Sequence, residues 1–232
     1  MSTWFAFRKD MLTQHDWLAR LGLDRPLLGG QAYFIAKRIM DLLLVLLILP
    51  LALPVFGVCT LLIKLEDPQA PILFVQQRTG KGGRRFSMYK FRTMVRNAED
   101  LKRQLAALNE DGELTAPLKL DHDPRITRVG RILRKTSLDE LPQLVNIIKG
   151  EMSLVGPRPT SFGLKSYRLW HTERLDVLPG ITGLWQLYGR GDTDFDNWSF
   201  WDALYIERQS LWLDIQILLR TAFAVLEQRG AH

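Results

Sequence analysis

Asp139 and Glu140 stand side by side within residues 134–159, which read R-K-T-S-L-D-E-L-P-Q-L-V-N-I-I-K-G-E-M-S-L-V-G-P-R-P. Carboxylates set among cations are suited to holding a divalent metal and handling phosphate. Two readings of the pair compete. Ser137-Leu138-Asp139-Glu140 fits the S-x-x-E capping box, a purely structural device that satisfies free amides at a helix start. Alternatively, Pro142 restricts where the next helix begins, so both acids fall in or beside its first turn. There the helix dipole favours the ionised form and keeps Asp139 available as a nucleophile or metal ligand. The surroundings favour chemistry. Arg134 and Lys135 precede the pair, and Arg158 follows between Pro157 and Pro159. Arginine grips phosphate with two parallel hydrogen bonds, and flanking prolines limit its backbone freedom.

Two further stretches carry polar groups of interest. Arg78, Lys81, Arg84, Arg85, Lys90 and Arg92 surround the glycine-rich turn Gly80-Lys81-Gly82-Gly83. The spacing is not that of a P-loop. A solvated turn, a patch facing anionic lipid headgroups and a substrate-phosphate site all fit it. Further on, Pro179-Gly180-Ile181-Thr182-Gly183-Leu184-Trp185-Gln186 leads to Gly189-Arg190-Gly191, where dense glycine lets backbone approach a ligand closely. His15, His122, His171 and His232 are scattered and show no zinc or triad spacing.

These groups must be positioned by a chain of 232 residues, enough for one good core with an appended element. The net charge of +6 favours an anionic partner: nucleic acid, membrane lipid or a phosphorylated substrate. Nucleic acid is the weakest of these, because no recognised binding module is present. The single cysteine, Cys59, lies in an apolar run, so there is no disulfide framework, which fits a reducing compartment.

That run, residues 42–63, carries no charge and is long enough as a helix to cross a bilayer. Basic residues flank it on both sides: Arg8, Lys9, Arg20, Arg25, Lys37 and Arg38 before, Arg78, Lys81, Arg84 and Arg85 after. The positive-inside preference places both flanks in the cytoplasm, which a single straight span cannot do. Pro50 and Pro54 fall near its middle and predict a sharp bend. A helix that enters, breaks and returns satisfies both facts, although proline also occurs in true spans. Asp41 follows Lys37 by one helical turn, which suggests an anchoring ion pair rather than a catalytic role.

The pattern predicts an amphipathic interfacial helix or a plain cap over 1–30, and a β-hairpin over 71–94. It also predicts a helix over 95–110, a loop over 111–124, helices over 126–134 and 139–148, and a long helix over 199–228. The seven tryptophans suit an interfacial protein, though core packing also accounts for them.

Several ordered motifs resemble one family: K-R-I-M-D, Q-R-T-G-K-G-G-R-R-F, Y-K-F-R-T-M, S-L-D-E-L-P-Q-L, G-E-M-S-L-V-G-P-R-P, P-G-I-T-G-L-W-Q and S-L-W-L-D-I-Q-I. From about Lys37 to Leu226 the chain resembles the monotopic polyprenyl-phosphate phosphoglycosyl transferases, the bacterial sugar transferases that begin glycan assembly on a lipid carrier. The resemblance implies a helix-rich mixed α/β fold, with a re-entrant helix-break-helix and interfacial helices around a small β-hairpin. It divides the chain into an interfacial extension (1–36), a re-entrant membrane helix (37–66) and a cytoplasmic catalytic domain (67–232).

The implied mechanism is ping-pong. Asp139 attacks the β-phosphate of a nucleoside diphosphate sugar and holds the sugar phosphate covalently, until undecaprenyl phosphate takes it. Glu140 assists within the dyad, and Mg²⁺ (or Mn²⁺) bridges Asp139 and the diphosphate. Arg134, Arg158, Lys90 and Arg78 handle phosphate; Gln186, Arg190 and Pro157 contact substrate; Pro50 and Pro54 shape the membrane break. The implied partners are the donor, the polyprenyl phosphate and anionic lipids at the cytoplasmic face of the bacterial inner membrane. Downstream glycosyltransferases and a second copy of the chain stay open as partners. Leu53 stands where small members often carry serine, and Leu187-Tyr188 where valine and a small polar residue are usual. Two other classes fit the residues alone: a silent membrane scaffold for glycan assembly, and a membrane-bound nucleic-acid binder.

Overall fold

The computed structural model describes residues 30–107, 123–163, 167, 169–188 and 195–226. The 1–30 helix (but for Gly30), nearly all of the 111–124 loop and Arg190 therefore lie outside the described residues. The described residues open with α1 (Gly30–Glu66), then β1 (Leu73–Thr79), β2 (Arg85–Phe91), α2 (Ala98–Ala107) and α3 (Arg128–Lys135). A 3₁₀ segment (Leu138–Gln143) leads into α4 (Leu144–Lys149) and β3 (Ser153–Val155). A second 3₁₀ segment (Leu169–Leu175) precedes β4 (Gly180–Thr182), α5 (Leu184–Tyr188), α6 (Phe195–Arg208) and α7 (Leu211–Leu226). Among the described residues, helices thus accompany two small sheets: the antiparallel β1–β2 hairpin, with Leu73 opposite Phe91, and the parallel pair β3–β4.

The hairpin forms as the sequence predicts. Its turn holds Gly82 and Gly83 at φ +63° and +74°, a conformation that favours glycine. Other elements differ from expectation. The 199–228 pattern is two helices, because Ser210 Oγ accepts from Leu213 N at 3.1 Å and starts a new helix there. α1 (Gly30–Glu66) contains Pro50 and Pro54 within its length.

The buried residues of α1 form one stripe: Tyr33, Lys37, Asp41, Val45, Ala52, Cys59 and Ile63, spaced by four or seven. Val45 and Ala52 join the main core with Ile147, Met152, Val155, Phe200, Trp201, Leu204 and Ile217. Cys59 and Ile63 join a second cluster with Phe91 and Leu133. The other faces of α1 are apolar yet exposed, with Leu47 at 76% and Leu51 at 73%. Leucine rows of this extent in contact with water are unfavourable, so they call for a non-aqueous environment. The composition of the helix is that of a membrane segment. α7 adds an exposed stripe of Trp212, Ile215, Leu219 and Phe223, whereas Trp201 is core.

A buried polar knot fastens the start of α1. Asp214, with no exposed surface, accepts from Lys37 Nζ at 2.8 Å, Tyr33 Oη at 3.0 Å and Tyr205 Oη at 2.7 Å. Lys37 therefore does not make its ion pair with Asp41, as spacing along the helix suggests. Asp41 instead accepts the Leu154 amide at 3.2 Å, securing β3. Alongside, Arg38 donates to the carbonyls of Ile147 and Ile148 at 2.6 and 3.0 Å, closing the end of α4.

Candidate active site

α3 delivers Arg134. Its N-terminus is capped by Thr127 Oγ1, which accepts from Gly130 N, and by Glu66 at the end of α1, whose oxygens accept from Arg128 N and Val129 N at 2.8 and 3.0 Å. Gly130 is demanded by packing: a Cβ there would sit 2.2 Å from the Thr93 carbonyl oxygen. This close approach lets Arg134 Nε donate to Thr93 Oγ1 at 2.9 Å.

The capping box does not form. Ser137 makes no side-chain cap and takes a left-handed conformation (φ +57°), the only positive φ outside glycine among the described residues. Such a conformation costs about 1–2 kcal/mol for an L-residue. It turns the chain from α3 straight into the 3₁₀ segment that carries Asp139 and Glu140. Pro142 lies within that segment, and the α-helix begins only at Leu144. The dyad therefore sits in the first turn of the 3₁₀ segment, just ahead of the α-helix.

Glu140 Oε1 accepts from Lys90 Nζ at 2.8 Å and from Arg158 Nη2 at 3.0 Å. Burial by itself would raise the Glu140 carboxyl, but the charges of Arg158 and Lys90 and their hydrogen bonds overcome it and hold it at about 2. Asp139 behaves differently. Burial pushes its carboxyl above the usual carboxylate range, Glu140 adds to the rise, and Lys90, Arg134 and Arg158 pull against it. Its Oδ2 lies 3.9 Å from Lys90 Nζ, and among the described residues its side chain accepts no hydrogen bond. One acid is locked and ionised; its neighbour keeps free lone pairs.

Lys90 is set by β2, which Asn146 secures: its Oδ1 accepts the Tyr89 amide at 3.1 Å and its Nδ2 donates to the Ser87 carbonyl at 2.7 Å. Arg78 donates from Nη1 to the Pro159 carbonyl at 3.2 Å and from Nη2 to Gln76 Oε1 at 2.6 Å. Burial, and then the adjacent Arg158 charge, lower Arg78 to about 10. Burial likewise lowers Arg134.

The structure thus brings together Arg78, Lys90, Arg134, Asp139, Glu140 and Arg158 from four separate stretches of chain. Gln186 is buried on α5 and donates to the Ile181 carbonyl at 3.3 Å. Pro157 is buried, and its carbonyl accepts from Gly180 N at 2.9 Å. The glycines before Gln186 approach protein rather than open space: a Cβ on Gly180 would lie 2.1 Å from Gly156 N, and one on Gly183 2.4 Å from Gly156 O. No local motif marks the roles of Thr93, Glu66 or Asn146. Each acts on a partner more than forty residues away, and no local spacing announces that.

A divalent metal fits this donor set only together with a substrate. Among the described residues no three His, Cys, Asp or Glu side chains gather as a ready-made cage. Mg²⁺ commonly takes one or two carboxylates and completes its shell with phosphate and water. Asp139, with its free oxygens, is the side chain suited to it.

Comparison with known proteins identifies a family. A family model described as bacterial sugar transferase matches residues 32–228. The chain is 44% identical over 199 residues to the undecaprenyl-phosphate galactose phosphotransferase of Salmonella typhimurium, covering 84% of this chain and 41% of that one. It is 40% identical over 214 residues to the exopolysaccharide production protein ExoY of Rhizobium meliloti, covering 91% and 92%. It is 36% identical over 222 residues to the UDP-glucose:undecaprenyl-phosphate glucose-1-phosphate transferase of Escherichia coli, covering 90% and 44%. The chain therefore spans less than half the length of the first and third of these relatives and nearly all of the second.

Proposed function

The chain belongs to the bacterial sugar transferase family, and on that premise we propose that it transfers a sugar 1-phosphate from a UDP-sugar to undecaprenyl phosphate. The observation that carries this reading is the charge balance at the dyad. Arg78, Lys90, Arg134 and Arg158 stand against Asp139 and Glu140, so positive charge is in excess. A diphosphate supplies the missing negative charge and the oxygens that arginine forks bind. Two of the relatives above carry undecaprenyl phosphate in their names, and one of these also names UDP-glucose.

In this mechanism an Asp139 carboxylate oxygen attacks the β-phosphorus of the donor. The new O–P bond forms as the bond to the bridging oxygen breaks, and the electron pair leaves with UMP. Asp139 suits the role because its oxygens are free and its raised carboxyl makes a more basic nucleophile. Glu140 does not compete, since Lys90 and Arg158 occupy it; it holds those two cations where phosphate arrives. In the second step a phosphate oxygen of undecaprenyl phosphate attacks the same phosphorus, and the bond to Asp139 breaks, restoring the carboxylate. Mg²⁺ (or Mn²⁺), held by Asp139 and the diphosphate, would neutralise phosphate charge.

The lipid acceptor requires a membrane surface. Support for a re-entrant placement of α1 comes from its two ends. Lys37 and Arg38 fasten one end, and Glu66 the other, to the same body of the protein. A straight span would carry those ends to opposite faces of the bilayer. Basic flanks at both ends support a placement of that body at the cytoplasmic face of the inner membrane. Cysteines introduced at residues 3 and 230 should both resist an impermeant reagent added outside the cell; labelling at residue 3 alone would show a span.

The activity is tested by incubating the vesicle-reconstituted protein with Mg²⁺, undecaprenyl phosphate and a panel of UDP-sugars labelled in the sugar. The expected result is UMP release with label passing to the lipid, and label retained on the protein when the lipid is omitted. Absence of UMP release across the whole panel would sink the reading.

A further inference from the structure

The turn that presents Arg158 has an unusual anchoring problem. Pro157 and Pro159 have no amide hydrogen, so this turn depends on its carbonyls for attachment. Four successive carbonyls are each bound by a separate donor. Pro157 O accepts from Gly180 N at 2.9 Å, Pro159 O from Arg78 Nη1 at 3.2 Å, and Thr160 O from Thr79 N at 2.9 Å. The carbonyl of Arg158 itself accepts from Arg174 Nη2 at 2.8 Å.

Arg174 is itself buried and charge-paired. Its Nη2 lies 2.7 Å from Asp202 Oδ2 on α6, both side chains are only 4% exposed, and its guanidinium stacks 5.1 Å from the Phe195 ring. A buried ion pair is a weak source of net stability, because desolvation offsets most of its attraction. Its place directly behind a functional arginine gives it another use.

We propose that Arg174, braced by Asp202, is a positioning residue that holds the backbone of Arg158 so that the Arg158 guanidinium meets Glu140 and incoming phosphate. Arg174 does not touch the dyad; it acts through Arg158. The pair also ties α6 to the site, since Asp202 lies on α6 and Arg174 on the 3₁₀ segment Leu169–Leu175. The proposal rests on the reading of Asp139 and Glu140 as the reacting pair. Failure of the wild-type protein to release UMP would sink that reading, whereas the comparison below is made only among active proteins.

The test is a double-mutant cycle on UMP release. Burial pushes the Asp202 carboxyl up to about 6 even beside Arg174, so removing the arginine alone would strand an acid. The pair is therefore replaced together, as R174M/D202L, by apolar side chains. The expected loss in kcat/KM is about tenfold. In an R158K background, which retains the charge, the same replacement should change kcat/KM by less than about twofold, because its target is already compromised. An equal loss in both backgrounds would overturn the proposal, since a merely structural pair lowers activity whatever stands at 158. A loss below twofold in the wild-type background would overturn it too. If R174M/D202L does not fold, the cycle is repeated with R174K, which keeps the charge against Asp202 but not the planar fork. Equal losses in the two backgrounds with R174K would likewise overturn the proposal.

Discussion

The molecule contains two clusters assembled from the same kinds of side chain, and they do opposite things. At the start of α1, Lys37, Asp41 and Asp214 meet Tyr33 and Tyr205; at the dyad, Lys90, Asp139 and Glu140 meet three arginines. In the first cluster Asp214 is wholly buried, both of its oxygens accept hydrogen bonds, and cations do not outnumber acids. In the second, positive charge is in excess, the Arg158 side chain is 37% exposed, and Asp139 keeps free lone pairs. A carboxylate becomes an anchor when every lone pair is filled and water is excluded. It becomes reactive when its surroundings leave valence and charge for something else to satisfy.

The strongest way to break this contrast is Asp139→Asn. It should reduce UMP release by about ten-thousand-fold while leaving the melting temperature in detergent unchanged, because no partner depends on Asp139 for its hydrogen bond. Retained turnover would remove Asp139 as the nucleophile.

Lys37→Met is the mirror experiment. It leaves Asp214 buried without its cation and should cost roughly 3–5 kcal/mol of stability, read as a large fall in melting temperature. Activity lost at an unchanged melting temperature would instead place the α1 knot in the reaction.

The third prediction concerns acid. Glu140 titrates at about 2 in the folded protein against an ordinary value of 4.5. A depressed acid contributes stability that is present above its unfolded pKa and lost as pH falls through its folded pKa. Between pH 4.5 and 2, Glu140 should therefore withdraw about 3 kcal/mol. Asp139 and Asp202 have raised carboxyls and act in the opposite sense. Comparing Glu140→Gln with wild type over that range isolates Glu140: the wild type should lose more stability on acidification than the variant. Parallel curves would show that Lys90 and Arg158 do not stabilise its ionised form.

Much of this was legible in the chain. The hairpin and its glycine turn, the acidic pair, Arg134 and Arg158, and the apolar run with basic flanks all follow from local spacing. The misreadings share one cause. Ser137 to Glu140 looks like a capping box, but the chain turns left-handed at Ser137 and Glu140 is drawn to Lys90, fifty residues earlier. Lys37 has Asp41 one turn away, yet a fully buried carboxylate 177 residues on makes the stronger partner. In each case spacing offered a near neighbour and packing supplied a more distant one that was better desolvated.

Residue type and order determined which chemistry this protein can perform: two acids among arginines, a glycine turn, a membrane segment and the family motifs. The tertiary structure decided which acid is free. Glu140 is quenched by cations from β2 and the Arg158 turn, and Asp139 is left open beside it. That choice depends on distances of about 3 Å between groups far apart in sequence, where charge and desolvation act strongly. No local pattern encodes such distances; only the packed chain sets them.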